Sequence, residues 1–79
     1  MSAQRVREII ATMAPDTPES VTDTQDLIAD LGFDSLRLME LTVVLERAFD
    51  LPPYRPEQLA GVLTVGAVVG LIERSLEAA

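Results

Sequence analysis

Val6, Ile9, Ile10 and Met13 are spaced i, i+3, i+4 and i+7, which places them on one stripe of a helix. Ser2 is a capping type at the start of that stripe and Pro15 stops it, so a first helix is expected over residues 3–14. The periodicity then breaks. Residues 15–34 contain Pro15, Thr17, Pro18, Ser20, Thr22 and Thr24, and read as a long connection, with Leu27, Ile28, Leu31 and Phe33 anchoring its second half to a core. Residues 35–50 give the strongest helical pattern, opened by Ser35 as an N-cap type and ended by Pro52-Pro53. Pro56-Glu57-Gln58-Leu59-Ala60 is a single turn begun by proline and closed by Gly61. Thr64 caps a last helix whose stripe is Val65, Val68, Val69, Ile72 and Leu76. The expected fold is all-α, with three main helices and one short one.

On a wheel at about 100° per residue, the helix over residues 35–50 is apolar on two sides. Leu38, Leu41, Leu45 and Phe49 form the core stripe, and Arg37, Glu40 and Arg47 lie opposite, towards solvent. Leu36, Met39 and Val43 make a second strip directly downstream of Ser35. So small a domain cannot bury one helix all round. The short turn over 56–60 covers part of that strip, and the rest is expected to serve partner docking beside Glu40.

Composition sharpens this picture. Seventy-nine residues allow one core and one domain, with no cysteine to staple it. Two Phe, one Tyr and no Trp leave an aliphatic core, which suits packed helices. Thirteen acids face six arginines, giving a net charge of −7, and the connection over 15–34 carries acids alone. Such a surface repels phosphate backbones, so nucleic acid is excluded as a partner, and so is an anionic membrane surface. It suits encounter with basic patches on proteins. No run is apolar enough to span a bilayer and no signal region opens the chain, so a cytoplasmic protein is expected, and a monomer.

The absence of His and Cys removes thiol nucleophiles, imidazole bases and Cys/His metal sites. Asp26, Asp30 and Asp34 are four apart, which is not the spacing of a calcium loop, so no metal site is assigned. Ser35 has no histidine or lysine to activate it, and neither Gly-x-Ser-x-Gly nor Ser-x-x-Lys is present. No catalytic residue is expected. A hydroxyl that another enzyme modifies is a different matter, because a phosphodiester at a helix N-terminus meets free N–H groups and the positive end of the dipole.

Asp30-Leu31-Gly32-Phe33-Asp34-Ser35-Leu36, followed by Met39-Glu40-Leu41, resembles the signature of acyl carrier proteins. The order of helices, the Phe49-Asp50 exit and Thr64-Val65 at the last helix resemble that family as well, so the likeness spans nearly the whole chain. The resemblance implies a four-helix bundle over residues 1–79, forming a single carrier domain. It implies covalent 4′-phosphopantetheine, donated from coenzyme A to Ser35 by a phosphopantetheinyl transferase that uses Mg²⁺, with acyl groups carried as thioesters. Asp34 and Leu36 then flank the modified serine, and Leu36, Met39, Glu40 and Val43 fall on the docking helix. The implied partners are that transferase, an acyl-loading enzyme, and a ketosynthase or other condensing or tailoring enzyme.

Asp34 before the serine resembles acyl rather than peptidyl carriers, and Gly-Phe-Asp-Ser-Leu resembles the carriers of polyketide synthases. Arg37 and Arg47 interrupt the strongly acidic second helix of fatty-acid carriers. A discrete carrier in polyketide or related specialised-metabolite biosynthesis, antibiotic pathways included, is therefore the expectation, the chain opening at Met1 and ending just past its last helix. A carrier of aminoacyl or peptidyl groups, and an unmodified helical adaptor with Ser35 as a plain cap, are the alternatives.

Overall fold

The computed structural model describes residues 2–16 and 18–78, so Thr17 of the expected connection lies outside the described residues. Among the described residues four helices follow in order: α1 Ser2–Met13, α2 Ser35–Ala48, α3 Pro56–Leu59 and α4 Val65–Ala78. The expected all-α bundle of three long helices and one short one is the fold observed. Ser2 sits inside the first turn of α1 instead of capping it from outside.

α1 packs backbone-close against both α4 and α2, while α2 and α4 are spaced farther apart and meet through side chains of the shared core. The core joins Val6 and Ile10 of α1, Leu41 and Leu45 of α2, and Val65, Val68, Val69 and Ile72 of α4. Leu27, Leu31 and Phe33 plug it from the connection, each almost wholly buried. Two expectations fail here. Ile28 is 51% exposed because the turn holding Leu27 and Leu31 inside points it outward, and Leu76 is exposed near the C-terminal end of α4, beyond the packed part of its stripe.

The long connection is ordered by backbone pairing to the entry of α4. The N–H of Leu27 donates to Leu63 O at 2.9 Å, and the N–H of Val65 donates to Gln25 O at 3.0 Å. The N–H of Gly66 donates to Asp23 O at 2.9 Å, and a Cβ at Gly66 would lie 3.1 Å from that same carbonyl oxygen. Gly66 is thus tolerated in a helix because loop backbone comes so close. Thr64 Oγ1 accepts from the Ala67 N–H at 3.2 Å, the expected cap.

Where α2 and α4 splay apart, a cavity of about 190 Å³ opens beneath α3. Leu38, Leu41 and Leu45 form one wall, Val68, Leu71 and Ile72 the other. The two hydroxyls in the lining are already engaged: Thr42 donates to Leu38 O, and Tyr54 is bonded to Ser75.

Candidate functional site

The connection delivers Ser35 through two devices. Gly32 sits at φ +81, in the left-handed region, with the carboxylate of Asp16 packed over it so that any Cβ would fall within 2.6 Å of an Asp16 oxygen. The left-handed backbone is what favours glycine at this turn, since the Asp16 side chain could swing away from a Cβ. Phe33 then dives into the core, its N–H donating to Leu27 O at 3.0 Å, and its burial fixes where α2 begins.

The cap of α2 differs from the one expected. Asp34, extended at φ −113 and ψ −179, is the N-cap residue, and its Oδ1 accepts the Arg37 N–H at 2.8 Å. Ser35 is the first residue of the helix. The carboxylate wins because it both accepts that N–H and sets a negative charge at the positive end of the dipole. Ser35 is consequently released from capping: it is exposed, and its Oγ has no hydrogen-bond partner among the described residues. The N–H groups of Ser35 and Leu36 donate to no acceptor among the described residues either, which leaves two free donors beside the hydroxyl. The donor set fits a phosphodiester: an accessible oxygen, unclaimed N–H groups and a helix N-terminus.

Arg37 does not point to solvent as expected. Its Nε donates to Met13 O at 2.9 Å, satisfying a carbonyl at the open C-terminal end of α1, and its Nη1 lies 3.4 Å from Glu40 Oε1. It is half-buried between the two helices. The end of α1 is thus tied to the start of α2, directly behind Ser35.

The second strip of α2 faces outward, with Leu36 68% exposed, Met39 67% and Val43 44%. Met39 also edges the cavity, so α3 shares it in part. Val44, exposed on the flank towards α1, was not singled out from the sequence, although the wheel already placed it off the core stripe. Glu40 is exposed in the middle of the strip. Among the described residues, no group of three or more potential metal ligands gathers anywhere.

The arrangement supplies an accessible hydroxyl at a helix end, between the capping carboxylate of Asp34 and the exposed Leu36. The family described as phosphopantetheine attachment site matches residues 4–72, most of the chain. The chain belongs to this family of acyl carrier proteins. An acyl carrier protein of Amoebophilus asiaticus is 38% identical over 73 residues, covering 92% of this chain and 90% of that one. Another from Phenylobacterium zucineum is 38% identical over 76 residues, covering 95% and 94%. A solved structure described as an acyl carrier protein from Mycobacterium tuberculosis superposes with a TM-score of 0.79 at 29% identity, covering 99% of this chain and 97% of that chain. Acyl carrier proteins present cargo on covalent 4′-phosphopantetheine and serve as substrates of partner enzymes. Among the described residues no helix is long and apolar enough to cross a membrane.

Proposed function

We propose that residues 1–79 form one carrier domain that holds acyl intermediates as thioesters on 4′-phosphopantetheine at Ser35, in polyketide or related specialised-metabolite biosynthesis in the cytoplasm. The observation that carries this reading is the state of Ser35: exposed, freed from capping by Asp34, and next to two unclaimed N–H donors. When bound, the group supplies a flexible arm ending in a thiol. The chain's own residues do the rest. Asp34 and Phe33 hold the helix start in place, and the first-turn N–H groups stabilise the phosphodiester charge. Leu36, Met39, Glu40 and Val43 give a transferase, a loading enzyme and a condensing enzyme a common surface to read.

Acyl cargo is favoured over aminoacyl cargo by the lining of the cavity between α2 and α4. Its walls are aliphatic, which suits a hydrocarbon, whereas an ammonium group would be stripped of water and offered only the hydroxyl oxygens of Thr42 and Tyr54 as acceptors. The polyketide reading rests on the likeness of Gly32-Phe33-Asp34-Ser35-Leu36 to carriers of that kind and on Arg37 and Arg47 in α2.

The test is incubation of the apo protein with coenzyme A and a promiscuous phosphopantetheinyl transferase, followed by intact mass measurement. One phosphopantetheine is expected on the wild type and none on Ser35→Ala, with both proteins equally helical by circular dichroism. A wild type that stays apo, or a variant that is still loaded, defeats the reading. Offering the holo form acyl- and aminoacyl-loading enzymes in parallel then decides the class of cargo.

A further inference from the structure

The charges of α2 are not spread evenly along its exposed face. Glu40 is matched by Arg37, with Nη1 and Oε1 3.4 Å apart. Glu46 is half-buried, its Oε2 accepting the Tyr54 N–H at 2.7 Å. Arg47 is exposed and, among the described residues, its guanidinium makes no ion pair and no hydrogen bond; Asp50 in the following turn does not close on it. Leu36, Glu40, Val43 and Arg47 recur at i, i+4, i+7 and i+11, so Arg47 ends the same face that begins beside Ser35. At the other end of that face stands Asp34, the N-cap, whose carboxylate accepts the Arg37 backbone N–H and, among the described residues, meets no arginine side chain.

We propose that this face is bipolar and that Arg47 selects the partner. The protein surface it fits is basic where it meets the start of α2, apolar against Leu36, Met39 and Val43, and acidic where it meets Arg47. A partner that is basic throughout is penalised. The inference rests on the carrier reading of Ser35 and specifies the partner of that same site. Twelve residues separate Ser35 from Arg47, a rise of about 18 Å at 1.5 Å per residue. That exceeds the screening length of about 8 Å at physiological salt, so the two ends act on a partner independently, and the acids near Ser35 do not mask the cation. A cation in the last turn also complements the helix dipole. That role predicts a change in melting and none in partner choice, so the two are separable.

The experiment loads the full chain at Ser35 with a pantetheine analogue bearing an electrophile and measures crosslinking to a fatty-acid-type condensing enzyme chosen for a docking surface that is basic throughout. Wild type, Arg47→Gln and Arg47→Glu are compared at low and high salt, with melting curves in parallel. Arg47→Glu is expected to crosslink several-fold to about tenfold faster than wild type at low salt, with Arg47→Gln between them and the differences shrinking at high salt. Equal or slower crosslinking by both variants, while they melt as folded proteins, overturns the inference. A wild type that cannot be loaded fails at the first step and overturns the carrier reading instead.

Discussion

Asp34 and Ser35 divide between them two tasks that a single serine was expected to share. A residue that caps a helix commits its side-chain oxygen to an N–H of the first turn. With Asp34 Oδ1 on the Arg37 N–H, the Ser35 hydroxyl is left uncommitted at the same helix end. Asp34→Ala is therefore expected to cost about 0.5–2 kcal/mol of folding stability, the usual range for a lost cap, read from the midpoint of urea unfolding. A midpoint equal to wild type would show that Ser35 takes over the cap, which would also end its availability. The sequence named both residues but assigned the cap by type. Ser and Asp are near-equal cap formers, and the register was decided one residue upstream by the burial of Phe33, a tertiary effect.

At the scale of elements, α2 carries the argument because its faces have different duties. The 3.6-residue period of Leu38, Leu41, Leu45 and Phe49 made the core face legible, and Leu41 and Leu45 are indeed buried. The outward strip was equally legible, since three apolar residues cannot join a core lying on the other side. Arg37 was not: its partner is Met13 O, 24 positions away, and no local pattern announces an open helix end packed alongside. Ile28 failed for a related reason, since a turn has no fixed period and hydrophobicity alone does not say which side faces in. Leu45→Ala is expected to destabilise the fold by about 2–5 kcal/mol in chemical denaturation. Val43→Ala, 44% exposed, is expected to leave the unfolding midpoint nearly unchanged while slowing acyl transfer to a condensing enzyme. Equal loss of stability in the two variants would show that Val43 belongs to the core.

At the scale of the molecule, the connection between α1 and α2 is held to the bundle from both sides. Its backbone pairs with the entry of α4, and Arg7 of α1 reaches across to Asp23, with Nε and Oδ1 2.8 Å apart and Nη2 and Oδ2 3.1 Å apart. The paired hydrogen bonds from Arg7 hold the Asp23 carboxyl below its ordinary value of 3.8, and Asp23 in turn raises the Arg7 guanidinium. The two shifts act in different pH ranges. A carboxyl whose folded-state value is depressed adds stability above its unfolded value and loses it as pH falls through the folded one. A guanidinium raised from an already high value keeps its contribution throughout the acid and neutral range, so only Asp23 makes the clamp sensitive to acid. Both groups are solvent-exposed, which keeps the effect small and sensitive to salt. The melting temperature of wild type is expected to exceed that of Asp23→Asn at neutral pH, by a margin that narrows as pH falls through 3.8 and below. Added salt is expected to shrink the same margin at neutral pH. A margin that stays constant down to strong acid would mean that Asp23 holds the connection through its backbone carbonyl to Gly66 alone, and that the charge pair with Arg7 contributes nothing to keeping the segment before Ser35 in place.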